Sequence, residues 1–92
     1  MQPRSAWAEL EKRKLRKTFD FSAAHPRLTF VVQLLSMNDQ IGDIYKLLVD
    51  GLSVTVGIEA DGECFIGDRE RKHARRADEI YAEIRRYAAS DS

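Results

Sequence analysis

Cysteine, histidine and long apolar runs are scarce in this chain. One cysteine, two histidines and two prolines are all that its 92 residues hold of those types. Cys64 has no second cysteine to pair with, so no internal disulfide holds the fold, which agrees with a reducing compartment. No apolar run approaches the ~20 residues of a bilayer span. The opening MQPRSAWAELEKRK lacks the apolar stretch of a signal peptide, so the expectation is a cytoplasmic protein with no membrane partner. There is no internal repeat and no low-complexity segment. Net charge is absent too, with 15 basic against 15 acidic side chains.

Chemistry-bearing motifs are equally sparse. His25 precedes a proline and His73 sits in a basic run. With no Cys-x-x-Cys or His-x-x-x-His spacing beside them, they make a poor metal set. Cys64 has carboxylates for neighbours, the reverse of what activates a thiolate. Asp39 and Asp43 stand at i,i+4, a spacing common on solvated helices. The glycines at 42, 51, 57, 62 and 67 fit turns, a cap and strand ends rather than a phosphate loop. No catalytic, cofactor or metal residue is expected, and the chain is read as a non-enzyme.

What is present begins with Gly51–Gly67. Val54, Val56 and Ile58 alternate with Thr55, Gly57 and Glu59, the period of a half-buried strand. Asp61-Gly62 suits a type I′ turn. The pattern predicts a β-hairpin over 53–60 and 63–67, with Val54, Val56, Ile58 and Phe65 on one apolar face. An isolated hairpin is marginal in water, so other elements must cover that face.

Those elements are read as follows. Residues 5–17, rich in Ala, Leu, Glu, Lys and Arg, favour a helix with Ser5 as cap and a thin apolar stripe. TFDF at 18–21 alternates like a short strand. LTFVVQLL at 28–35 favours a buried strand, and 37–50 a helix stopped by Gly51 in the left-handed cap position. The alternative is one long helix over 26–50, because Phe30, Leu34, Met37, Ile41, Ile44 and Leu48 share a helical stripe. Asp68 suits the cap of a last helix over 69–88 that buries Ala74, Ala77, Ile80, Tyr81, Ile84 and Tyr87. The expected architecture is a single α+β domain over 1–92, with 1–4 and 90–92 frayed, in the order α, β, β, α, β, β, α.

Charge is segregated. Residues 1–17 hold six basic and two acidic side chains, 18–68 two and eight, and 69–92 seven and five. Ten of the fifteen basic residues lie in two clusters. Lys12, Arg13, Lys14, Arg16 and Lys17 form one; Arg69, Arg71, Lys72, Arg75 and Arg76 form the other. Converging in space, they would meet phosphates of a nucleic acid. Trp7, Leu10 and Ile66 make a candidate protein interface, tryptophan being enriched at binding hot spots. The leading expectation is a protein-interaction or regulatory module that pairs with itself as a homodimer. Regulators and inhibitors carried by mobile elements are proteins of this size. Nucleic-acid or phosphate binding by the basic clusters is the alternative.

Overall fold

The computed structural model describes residues 7–42, 44–60 and 65–90. Six elements follow one another: β1 (Ala8–Leu10), β2 (Lys14–Asp20), α1 (Ala24–Ile41), β3 (Tyr45–Asp50), β4 (Ser53–Glu59) and α2 (Asp68–Ser90). The strands form one antiparallel sheet in the order β1-β2-β4-β3. Both helices lie on one face, α2 against β2 and β4, α1 against β3 and β4. A small α+β domain with an antiparallel sheet and a C-terminal helix is what the alternation and the last helical stripe predict. Among the described residues no helix is long and apolar enough to cross a membrane.

The sheet exists because β2 and β4 alternate. Val54, Val56 and Ile58 are fully buried, and Leu15 and Phe19 opposite them nearly so. Each such side chain contributes roughly 1.5–3 kcal/mol on leaving water. Phe30 and Leu34 of α1 close over them, as do Ala74, Ala77, Ile80 and Ile84 of α2. At one end Phe19, Phe21, Phe30 and Tyr81 pack ring against ring, with centroids 4.8–6.0 Å apart. The Tyr81 hydroxyl donates to the Asp20 carbonyl at 2.6 Å, so its polar tip is satisfied. The opposite face of the sheet carries Lys14, Arg16, Thr18, Lys46, Leu48 and Thr55, and no described helix covers it.

Four sequence expectations need correcting. The strand 53–59 is real, but it pairs with β3 before it and with β2, and the described part of the expected partner, 65–67, is not a strand. Residues 65–67 are irregular and Phe65 is 66% exposed. The Asp61-Gly62 turn and Cys64 lie outside the described residues. The predicted helix over 5–17 is instead, in its described part, the hairpin β1–β2, and β2 runs on through 18–20. Its three-residue loop is Glu11-Lys12-Arg13, with Glu11 and Lys12 at positive φ (54° and 61°) and the Arg13 N–H donating to the Leu10 carbonyl at 3.0 Å. Neither residue is one that favours left-handed backbone, so no turn signal marks the spot.

The expected strand at 28–35 is the middle of α1, as in the long-helix alternative, but that helix stops at Ile41. Gly42 ends it at φ 100°, its N–H donating to the Asn38 carbonyl at 2.8 Å. The expected helix over 37–50 is thus half α1 and half β3. Gly51 does adopt the predicted left-handed conformation (φ 60°), at the first position of the two-residue β3–β4 loop rather than at a helix end. In α2 the predicted stripe is buried at Ala74, Ala77, Ile80 and Ile84, whereas Tyr87 is 65% exposed beyond the edge of the sheet-facing contacts.

Two junctions fix the helices. Asn38 donates to the Tyr45 carbonyl (2.8 Å) and accepts from Ile44 N–H (3.1 Å) and Tyr45 N–H (2.9 Å), tying the end of α1 to the start of β3. At the start of α2, Gly67 N–H donates to the Glu70 carboxylate at 2.9 Å, and Arg71 N–H returns to the Gly67 carbonyl at 3.1 Å.

Candidate functional site

The strand alternation of β2 puts a lysine where the core expects an apolar residue. Lys17 lies between Leu15 and Phe19 on the helix side, with its side chain 6% exposed. Its ammonium is paired with Asp78 of α2 and rests 4.7 Å from the Phe19 ring centroid. Asp78 accepts a second bond from the Trp7 indole N–H at 3.0 Å. Trp7 itself stands edge-on to Phe19, centroids 5.8 Å apart. The Lys17 ammonium loses its water while the Asp78 carboxylate, 38% exposed, keeps part of its own, so the pair holds position well and adds little net stability.

Above that network, β1 and α2 enclose an open groove with a cavity volume of about 340 Å³. Its apolar lining is Leu15, Ala74 and Trp7. Arg71, Arg75 and Asp78 come from α2, one helix face at i, i+4 and i+7. Glu9 crosses from β1, 3.2 Å from the Arg71 guanidinium. Both side chains of that pair are well exposed, so solvent screens it. Among the described residues, no carboxylate lies within ion-pairing distance of Arg75.

The predicted basic clusters therefore meet in part. Lys17 joins Arg71 and Arg75 on the α2 side. The Lys12 carbonyl accepts from Ile66 N–H at 2.8 Å, which brings the β1–β2 loop beside the start of α2. Lys14 and Arg16 point the other way, onto the uncovered face of the sheet. Arg69 meets Glu70 and Arg76 meets Glu79, each at 3.4 Å. Arg13 is also engaged, and Lys72 is exposed. Of the candidate interface residues, Trp7 and Ile66 are half-buried against the domain's own core, while Leu10 lies on the uncovered sheet face. The three do not form one surface.

The titrating groups near α2 are shaped by the fold. Burial acts to raise the Glu70 carboxyl, but the Gly67 N–H, its own backbone N–H and the Arg69 guanidinium outweigh it and hold the carboxyl below the usual range. Burial lowers His73, helped by Arg69 and Lys72 and opposed by Glu70. Burial pushes the Tyr45 hydroxyl up to about 12, against the pull of Arg76, and that hydroxyl donates to the His73 carbonyl at 2.8 Å. Among the described residues no three His, Cys, Asp or Glu side chains gather in a way that would hold a metal ion.

The order of elements and the sheet topology have a counterpart among solved structures. The fold is a known one. The crystal structure of a transcriptional coactivator/pterin dehydratase from Brucella melitensis superposes with a TM-score of 0.70 over 82% of this chain and 81% of that one, at 17% identity. At that identity the likeness is one of fold. No protein-family model matches the chain, and no curated protein matches it.

A second surface was not anticipated as such from the sequence. Among the described residues eight large apolar side chains are exposed, and six of them lie on α1, β3 or the loop after β3: Leu28, Val32, Leu35, Leu48, Val49 and Leu52. Leu28, Val32 and Leu35 are spaced i, i+4, i+7, a stripe on the side of α1 opposite Phe30 and Leu34. The signal was present in the sequence, since 28–35 holds apolar residues at both helical phases. β3 adds a six-residue strand at the edge of the sheet, with one side of its backbone unpaired by any described strand.

Proposed function

We propose that this chain is a small, non-enzymatic interaction module with a regulatory role in the cytoplasm, working as a homodimer joined along β3. The observation that supports this most directly is the self-complementary row on that edge strand. Lys46, Leu48 and Asp50 alternate on the uncovered face, and Leu47 and Val49 on the helix face. Antiparallel pairing about a two-fold axis through Leu48 keeps the faces matched. It sets Lys46 against Asp50 of the partner subunit and brings the two Leu48 side chains together. Leu47 then meets Val49 of the partner subunit on the other face. The backbone groups of an otherwise open edge are satisfied by the same step. The exposed stripe on α1 offers a second apolar contact.

The fold neighbour is named both as a coactivator and as a dehydratase. A coactivator works through contacts with other macromolecules, and that half of its name accords with the present reading. The alternative, nucleic-acid or phosphate contact, has less support. Lys17, Arg69, Arg71 and Arg76 already meet carboxylates, and Lys14 and Arg16 face away from α2.

Light scattering behind size exclusion tests the dimer. The expected particle has twice the 10.5 kDa chain mass at micromolar concentration. Lys46→Asp should give monomer, and Lys46→Asp with Asp50→Lys should restore the dimer by exchanging the charges. A wild-type monomer overturns the β3 interface. Dehydration of a pterin substrate faster than in buffer alone would overturn the non-enzymatic part.

A further inference from the structure

The groove between β1 and α2 lies apart from the apolar surface and has a chemistry of its own. Its base is already balanced, since the buried Lys17 ammonium and the Trp7 indole N–H both end on Asp78. Its rim is not. Arg71 is spanned by Glu9 through an exposed pair, and Arg75 meets no described carboxylate. The surplus is one positive charge held above Leu15, Ala74 and the Trp7 ring. A volume of about 340 Å³ is at the small end of ligand sites, enough for one ring and a headgroup.

We propose that this groove binds a small organic anion, with its carboxylate or phosphate group on the Arg75 and Arg71 guanidiniums and its apolar body against Trp7, Leu15 and Ala74. Guanidinium presents a planar fork to either headgroup. The ligand anion replaces Glu9 as the partner of Arg71, an exchange with a low cost because the Glu9–Arg71 pair is solvent-screened. A neutral ring offers Arg75 at most a ring face or an uncharged acceptor, weaker than an anionic headgroup, and a cationic one is repelled. A bare inorganic anion forgoes the apolar floor. The site thus asks for both halves of the ligand at once.

The lone tryptophan lies in the groove and reports on it. Full-length protein is titrated with phenyl phosphate and with phenylacetate, following Trp7 emission and the Trp7 indole N–H resonance. Benzamide and inorganic phosphate are the controls. A saturable change with at least one of the two anions is expected, with a dissociation constant of about 1 mM or tighter. Binding of benzamide and of inorganic phosphate should be about tenfold weaker, as should binding of the anions to Arg75→Gln. Arg76→Gln, on the neighbouring helix face and paired with Glu79, should bind as wild type. Far-UV circular dichroism and a melting curve confirm that each variant is folded. No saturable change in either signal up to about 10 mM of both anions overturns the proposal. So does equal binding of benzamide or inorganic phosphate, or undiminished binding by folded Arg75→Gln.

Discussion

α1 and α2 cover the same face of the same sheet, yet they are built differently. α2 has one buried stripe, Ala74, Ala77, Ile80 and Ile84, and a charged outer face. Apart from Tyr87, its large apolar side chains are covered. α1 buries Phe30 and Leu34 and also presents Leu28, Val32 and Leu35 on the reverse side. Its inner stripe is covered within the domain; its outer one is left exposed among the described residues. The ends differ as well. α2 starts on the Glu70 carboxylate, whereas Ala23 at the start of α1 supplies no side-chain cap, and α1 is secured instead at its far end by Asn38. One helix is thus a finished part of the domain, and the other a part with a face to spare.

The sharpest way to break this contrast is from inside α1. Phe30→Ala empties the centre of the aromatic cluster and should cost about 3–5 kcal/mol in urea or thermal unfolding. Asn38→Ala strands the Tyr45 N–H and carbonyl at the junction with β3, while the Ile44 N–H keeps its bond to the Gly42 carbonyl at 2.7 Å. A loss of about 1–3 kcal/mol is expected by the same measurement. A loss under about 0.5 kcal/mol would mean that water replaces the amide there.

The start of α2 is read through pH. The lowered Glu70 carboxyl contributes stability that is present above its ordinary value of 4.5 and lost as pH falls through its lower folded value. His73, lowered from 6.5, is favoured neutral by the fold, so stability is full above that pH and declines below it. The wild-type melting temperature should therefore fall in two stretches on acidification. His73→Gln should flatten the upper one and Glu70→Gln the lower; unchanged profiles would remove both groups from the account. The smallest effect belongs to the outer stripe. Val32→Glu should shift the stability of the isolated chain by no more than about 0.5 kcal/mol. A cost close to that of Phe30→Ala would show that the outer side of α1 is not outer at all.

The same contrast decides what was legible in the sequence. α2 announced itself, because a single stripe at 3.6 spacing against charged residues has one reading. α1 did not: apolar residues on both sides of a helix look like the continuous run of a buried strand. β4 was readable from its strict alternation, and Lys17 hid β2 by placing a charge at an inward position of an otherwise alternating KLRKTFD. The two hairpin loops repeat the lesson. Gly51 marks its turn by type, while Glu11-Lys12 adopts left-handed backbone with residues that give no sign of it. In the groove, the basic residues were visible in the sequence as a group. Which of them would be tied to Glu9 and Asp78 was not, because those pairings are made between residues 61 or more positions apart.

Asn38 has a consequence for anything that docks. By clamping the last turn of α1 to the first residue of β3, it welds the stripe and the open strand into one body. A visitor touching both must match a fixed offset, as a key with two wards must match its lock. Loosening that weld leaves every contact group in place and still degrades recognition, because the spacing between them is no longer set.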